Sequence, residues 1–178
     1  MKLINKLSIV VSVYNEEAVL DKFYETILPI LEEIDSDYEL IFVNDGSRDA
    51  SPAILDRLAM DSKKVKVIHF SRNYGHEAAM IAGIDYSSGD GIVCMDADLQ
   101  HPVECIPQIL DTFNQGYEVI SMVRTANKSA GFVKNLTSGL FYKILNKISE
   151  VHFEENASDF FAITKKLSLI HISEPTRP

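Results

Sequence analysis

Apolar, β-branched runs alternate along this chain with stretches whose apolar positions recur every three or four residues. Leu7–Tyr14 (LSIVVSVY) is nearly all apolar, as expected of a strand covered on both faces. Val19, Leu20, Phe23, Ile27, Ile30, Leu31 and Ile34 follow at helical spacing. Asn15 can cap that helix, Glu16 and Glu17 suit its dipole, and Pro29 predicts a kink within it. Tyr38–Asn44 reads as a second strand, ended by Asp45-Gly46-Ser47. Ser51-Pro52 is an N-cap followed by a first-turn proline, opening a helix that runs to Asp61. Val65–Phe70 is a third strand, Glu77–Tyr86 a helix, Gly89-Asp90 a turn and Gly91–Met95 a fourth strand. Pro102–Gln115 is a helix closed by Gly116, and Glu118–Val123 a fifth strand. Lys128–Glu150 leaves this rhythm: Phe132, Leu136, Leu140, Phe141, Ile144, Leu145 and Ile148 suggest an amphipathic helix, and Phe160–Ile163 a last strand.

Alternating strands and helices define an α/β fold with a mostly parallel sheet, right-handed crossovers and helices on both faces. Such sheets bind ligands beyond the carboxyl ends of their strands. Here those ends carry Tyr14-Asn15-Glu16, Asn44-Asp45, Ser71-Arg72-Asn73, Asp96-Ala97-Asp98 and Arg124. One site assembled from five strand ends is the expectation.

At 178 residues the chain is long enough for one domain with a real core. Its net charge of -9 argues against nucleic acid. An anionic substrate stays open, because a bound divalent metal reverses the local field. Cys94 and Cys105 lie among apolar neighbours and read as a reduced, buried pair, with neither disulfide-framework nor zinc spacing. No apolar run approaches the roughly 18 residues that span a bilayer, and Leu7–Val13 is too short for a signal peptide. By itself the chain therefore reads as soluble and cytoplasmic. Leu167–Pro178 (LSLIHISEPTRP) resembles the in-frame translation of a sequencing adapter. It is set apart from residues 1–166 as a non-native tail, and the natural chain is expected to continue past Lys166.

The chemistry concentrates in Asp96-Ala97-Asp98-Leu99-Gln100-His101-Pro102. Two carboxylates at i and i+2 after a buried strand offer hard oxygens to Mg²⁺ or Mn²⁺, with Gln100 as a third oxygen. The alternative is a pair of solvated turn residues. Asp45 can accept a hydrogen bond from a nucleobase imide, or can belong to an ordinary Asp-Gly turn. Tyr14 and Glu16 can offer an aromatic face and a carboxylate to a base or ribose, or simply open a helix. Arg72 can meet a phosphate or be an exposed structural arginine. His76 reads as a cap or loop contact, because no second histidine is spaced to join it at a metal.

The segments SIVVSVYNEE, ELIFVNDGSRD, HFSRNYGHEAAMIAGID, MDADLQHP and Gly116–Arg124 together resemble glycosyltransferase family 2. SRNYGHEAA and DADLQHP are most similar to the branch that glycosylates polyisoprenyl (dolichyl or undecaprenyl) phosphates. The resemblance implies a Rossmann-like A-type glycosyltransferase fold with Asp45 on the base. It implies Asp96, Asp98 and Gln100 on the metal and diphosphate, with Tyr14, Glu16 and Arg72 also on the donor. Arg124 would meet a donor or acceptor phosphate, with Lys128 and Lys134 as further acceptor contacts. Ser158-Asp159-Phe160-Phe161 is similar to the family's Gly-Asp-Phe-Arg segment, which makes Asp159 the candidate active-site carboxylate. Ser158 and Phe161 depart from that pattern, and Ser12 stands where the family often has proline.

The implied reaction is inverting, metal-dependent transfer of a hexose from a nucleotide diphosphate sugar to a polyisoprenyl phosphate, as in cell-envelope synthesis. UDP-sugar is favoured as donor and GDP-mannose is the second choice. The full-length protein would sit at the cytoplasmic face of the bacterial inner membrane, attached through a further C-terminal region and free to form a homo-oligomer. The present chain is expected to be inactive on a lipid acceptor. Two rivals are a family member acting on a sugar hydroxyl and a non-enzymatic nucleotide-sugar-binding subunit.

Overall fold

The computed structural model describes residues 3–123 and 157–172. Five parallel-order elements come first: β1 (Lys6–Val13), α1 (Leu20–Glu33), β2 (Asp37–Asn44), α2 (Ser51–Asp61) and β3 (Val65–His69). Then follow α3 (His76–Tyr86), β4 (Gly91–Asp96), a 3₁₀ turn (Val103–Cys105), α4 (Ile106–Asn114) and β5 (Val119–Val123). The last elements are β6 (Ala157–Thr164) and α5 (Lys165–Ile172). Lys128–Glu150, where an amphipathic helix is expected, lies outside the described residues, as do Arg124, Lys128 and Lys134.

The six strands form one sheet in the order β3-β2-β1-β4-β6-β5. β1 pairs in parallel with β2 and β4, and β2 with β3. β6 runs antiparallel to β4, with Cys94 opposite Phe161 and Gly91 opposite Thr164. The chain steps outward from β1 to β3, and α3 then returns it across the sheet to β4. The order therefore reverses between β1 and β4, the position where open α/β sheets leave a ligand crevice. The register sets Val13 opposite Asn44 and Ser12 opposite Asp96, so the chemically active strand ends are neighbours.

Both faces of the central strands are covered. Ile41 and Phe42 point to opposite faces, as successive strand residues must. Val10, Ile41, Val43 and Cys94 pack with Ala79, Met80 and Ile84 of α3. On the other side Phe42 meets Phe23 of α1 edge-on at 6.1 Å between centroids. α3 sits close to β1 because residue 83 is glycine: a Cβ there would stand 2.2 Å from Val10 Cγ1. Cys94 is buried, and burial pushes its thiol up to about 12; Cys105 is only half-buried.

Two local expectations, the caps at Asn15 and Ser51, are corrected. Asn15 does not cap α1, which begins five residues later at Leu20; its backbone is left-handed at φ 57° and its side chain serves another loop. Pro29 lies inside α1, as its place in the apolar pattern implies, and the helix continues to Glu33; Pro29 is exposed, so the carbonyl it frees can be hydrated. Ser51 is the first residue of α2 rather than its cap: Asp49 Oδ1 accepts the Ser51 N–H at 3.0 Å. The segment set apart as a tail begins inside α5, where Ser168 is buried and its hydroxyl donates to the Lys165 carbonyl at 2.8 Å. α5 packs against α3, and Lys165 Nζ caps that helix's last carbonyls by donating to Ile84 O at 2.9 Å.

At the amino ends of the strands, away from the motifs, Glu39 is almost wholly buried. It accepts from Ser8 Oγ at 2.6 Å, the Ser88 N–H at 2.6 Å, Lys66 Nζ at 2.7 Å and Lys6 Nζ at 3.0 Å. Burial opposes its ionisation, but Lys66, Ser8, Ser88 and Lys6 together outweigh burial and hold it well below the usual carboxylate range. This network ties β1, β2, β3 and the α3–β4 turn together.

Candidate functional site

Three loops at the carboxyl ends of β1, β2 and β3 are laced by side-chain bonds to backbone. Asn15 Oδ1 accepts the Arg48 N–H at 2.9 Å, and Ser47 Oγ accepts the Asn15 N–H at 3.0 Å. Glu17 Oε2 accepts the Ala50 N–H at 2.7 Å, while Asp49 Oδ2 accepts the Glu17 N–H at 3.0 Å. Ser51 Oγ takes the Glu16 N–H at 2.9 Å. The polar residues after β1 thus hold the β2–α2 loop instead of opening a helix.

Asp45 plays the corresponding part for the loop after β3. It is buried, its Oδ1 accepts the Tyr74 N–H at 2.7 Å and its Oδ2 accepts the Gly75 N–H at 2.9 Å. Arg72 lies over the Tyr74 ring at 4.8 Å, and Tyr74 meets Phe70 edge-on.

Two cavities open at this end of the sheet and share Tyr14 and Asn73 in their walls. One, of about 320 Å³, is lined by Ser12, Glu16, Asp45, His76, Asp96 and Asp98. The other, of about 330 Å³, is lined by Asn44, Ser47, Arg48, Phe70, Ser71 and Arg72. An acidic chamber therefore adjoins one with two cations and an aromatic side chain. A roomier depression of about 530 Å³ between Glu33, Asp35, Pro107 and Asn114 carries none of the strand-end motifs.

Within the acidic chamber Asp96 Oδ1 accepts the Ser12 hydroxyl at 2.8 Å and lies 3.3 Å from His76 Nδ1. The Asp96 N–H donates to His101 Nδ1 at 3.2 Å, and His101 stacks on Phe160 at 5.2 Å. Asp98 Oδ1 accepts the Gln100 N–H at 3.0 Å across Leu99, whose φ is 60°. A bulky residue in the left-handed region is uncommon, and such strain gathers at functional turns. Burial raises the pKa of Glu16, and the nearby charges of Asp98, Asp96 and Asp49 raise it further.

The structure brings Tyr14, Glu16, Asp45, Asp96 and Asp98 together and places Arg72 in the adjoining chamber. It does not bring in Gln100, which is exposed and absent from the chamber walls. Asp159 lies on β6. Sequence patterns mark Ser12 only as a departure from the family's usual proline and do not reveal the bond of His76 to it; the parallel register that joins Ser12 to Asp96 is a property of the sheet. Nor do the patterns mark Glu16 as a partner of the Asp96/Asp98 pair.

Among the described residues no group of three or more His, Cys, Asp and Glu is arranged to hold a metal ion by itself. The donor chemistry nevertheless fits Mg²⁺ or Mn²⁺: the carboxylates of Glu16, Asp96 and Asp98 line one cavity and offer hard oxygens, and burial followed by the charges of Asp98, Asp96 and Asp49 disfavours the ionised Glu16 until a cation is bound. A hard cation that completes its shell with water and substrate phosphates needs only one or two protein carboxylates.

The model of the family described as Glycosyl transferase family 2 matches residues 8–171, and the chain belongs to that family. Its fold is the A-type glycosyltransferase fold, a mostly parallel six-stranded sheet with helices around it.

Over 160 residues the chain is 41% identical to the uncharacterized glycosyltransferase YkcC of Bacillus subtilis, covering 90% of this chain and 50% of that protein. It is 38% identical over 162 residues to the bactoprenol glucosyl transferase of Shigella phage SfV, covering 91% of this chain and 53% of that one. The chain thus spans about half the length of these curated relatives.

Among solved structures, glucosyl-3-phosphoglycerate synthase from Mycobacterium tuberculosis in complex with UDP superposes with a TM-score of 0.64 at 20% identity. That match covers 92% of this chain and 58% of that one. The mannosyltransferase PcManGT from Pyrobaculum calidifontis, in complex with GDP-Man and Mn²⁺, gives 0.63 at 15%, covering 95% and 46%. No helix of the described residues is long and apolar enough to cross a membrane.

Proposed function

We propose that this chain forms the donor-binding core of an inverting, metal-dependent glycosyltransferase that moves a hexose from a nucleotide diphosphate sugar to a polyisoprenyl phosphate. UDP-sugar is the favoured donor and GDP-mannose the second. The observation that carries the reading is the acidic chamber of Glu16, Asp96 and Asp98 beside the chamber of Arg48, Arg72 and Phe70, at the β1/β4 switch point. The lipid-phosphate acceptor rests on the relatives named bactoprenol glucosyl transferase. Membrane attachment at the cytoplasmic face of the bacterial inner membrane is proposed with it, on the strength of the lipid-linked acceptor in those relatives' name, and a homo-oligomer is a further proposal.

In this reading Tyr14 offers its ring to the base, and Asp45 shapes the loop around the base while keeping lone pairs free to accept from it. Arg72 meets the diphosphate. Asp96 and Asp98 would hold Mg²⁺ or Mn²⁺, which when bound neutralises charge on the departing nucleotide diphosphate. A phosphate acceptor is already anionic near pH 7, so alignment of the two substrates carries more of the rate than proton abstraction does. Arg124 is assigned to a donor or acceptor phosphate and Asp159 to orienting the acceptor oxygen.

Donor turnover tests this. With UDP-glucose and Mn²⁺ the chain should release glucose slowly to water, with β-glucose first to appear by NMR from the α-linked donor. EDTA should stop the release. No release together with no nucleotide binding would refute the proposal.

A further inference from the structure

We propose that Ser12 and His76 are positioning residues for Asp96, forming a two-link relay that fixes the carboxylate oxygen through which the metal ligand is oriented. The inference deepens the reading above, in which Asp96 holds a divalent cation.

The argument begins with the sheet. Ser12 and Asp96 are register partners on the adjacent parallel strands β1 and β4. The sheet thus places a hydroxyl beside the last residue of β4, whose side chain is among those lining the acidic chamber. α3 opens at residue 76, directly after the loop held by Asp45, and this places His76 over the same strand ends.

Proton counting orders the three groups. Ser12 Oγ lies 2.8 Å from Asp96 Oδ1 and 2.8 Å from His76 Nδ1. A carboxylate oxygen only accepts, so the single hydroxyl proton goes to Asp96. The Ser12 oxygen must then accept, and the His76 Nδ1–H is the donor in reach. The same N–H lies 3.3 Å from Asp96 Oδ1, so the ring backs both members of the pair. His76 is therefore a donor to the carboxylate's support and not itself a ligand. The backbone of Asp96 is pinned separately by His101, which is buried and stacked on Phe160.

The consequence concerns the freedom of a short side chain. Asp96 has two rotatable bonds, and the carboxylates of Asp98 and Glu16 line the same cavity. Without Ser12 and His76 the carboxylate can turn away from its neighbours when no cation is present, and metal binding must restore it. Outer-shell partners of this kind typically change metal affinity by about 10–100-fold when removed. In this chain the hydroxyl at 12 is the donor to Asp96 Oδ1, and alanine there removes it.

The test reads metal binding directly. Mn²⁺ is titrated against the chain in the presence of UDP, with free Mn²⁺ followed by electron paramagnetic resonance and folding followed by circular dichroism and thermal melts. Ser12→Ala should weaken Mn²⁺ binding by about tenfold or more, and Ser12→Thr, which keeps the hydroxyl, should restore it. His76→Ala should also weaken it, while His76→Asn, which keeps an N–H donor, should recover part of the loss. Wild-type affinity in folded Ser12→Ala and His76→Ala would overturn the relay and leave the functional reading standing. A folded Ser12→Thr as weak as Ser12→Ala would overturn it too, because the hydroxyl would not be the agent. If the wild-type chain binds neither Mn²⁺ nor UDP, the functional reading fails and the relay with it.

Discussion

The backbone of Arg72 crosses Gly46 so closely that a Cβ on Gly46 would stand 2.3 Å from the Arg72 carbonyl carbon. Gly46 has φ +69°, a conformation that glycine adopts freely. The contact brings the loop after β2 against the loop after β3, and these loops form the wall of the chamber that holds Arg48 and Arg72. Gly46→Ala should therefore lose about 1–2 kcal/mol from backbone conformation alone, before the loops are pushed apart. Thermal melts and UDP titration should show a drop in stability and a larger drop in nucleotide affinity.

Asp45 fastens the same loop through the Tyr74 and Gly75 amides. Asp45→Ala leaves both N–H groups without their acceptor. The expected cost is about 2–3 kcal/mol of stability, the scale of hydrogen bonds to a charged group. Equilibrium denaturation gives the first quantity, and UDP titration should show weaker binding as well. Asp45→Ala with unchanged stability would mean that the carboxylate serves only the ligand.

Glu39 makes a prediction far from the site. Its pKa is depressed on folding, so its stabilising contribution is present above the ordinary value of 4.5 and is lost as pH falls below it toward the folded-state value. Lys6 and Lys66 are about one-third exposed and can be hydrated if the acid is removed. Glu39→Ala should cost about 2–3 kcal/mol at pH 7, below the usual range for a broken buried pair. The difference from wild type should narrow on acidification. A constant difference in urea melts between pH 7 and pH 3 would contradict the charge network.

Glu16 carries the opposite sign. Its pKa is raised on folding, so its contribution is fully present below 4.5 and lost as pH rises through the folded value. At pH 7 it therefore strains the chamber. Glu16→Gln should melt above wild type at pH 7 in EDTA, with the gap closing near pH 4 and also on adding Mn²⁺. A variant that melts below wild type in EDTA at pH 7 would contradict a Glu16 carboxylate disfavoured by burial and by its charged neighbours.

Much of this arrangement is legible from residue patterns. The apolar runs ending in Tyr14, Asn44 and Asp96 mark buried strands, and Asp-Ala-Asp after one of them marks the chamber. What patterns do not encode is pairing. Ser12 acquires meaning only when β1 and β4 are aligned so that it faces Asp96. The antiparallel course of β6 depends on how the chain re-enters the sheet, which periodicity does not specify. Asn15 misleads because its amide has two uses, a helix cap or a brace for a neighbouring loop, and φ 57° selects the brace. Glu39 was visible as an acid inside the strand Tyr38–Asn44, but its four partners come from Lys6, Ser8, Lys66 and Ser88, which only the folded sheet assembles.

Calorimetric titration of UDP into this chain, first with Mn²⁺, then with EDTA, and then with Mn²⁺ and Asp98→Ala, tests the central claim most directly. Binding should require Mn²⁺ and should be lost with chelator and in the Asp98→Ala chain, while that chain keeps the wild-type fold. Equal affinity in Mn²⁺ and EDTA would contradict a metal-dependent donor site at the ends of β1 and β4.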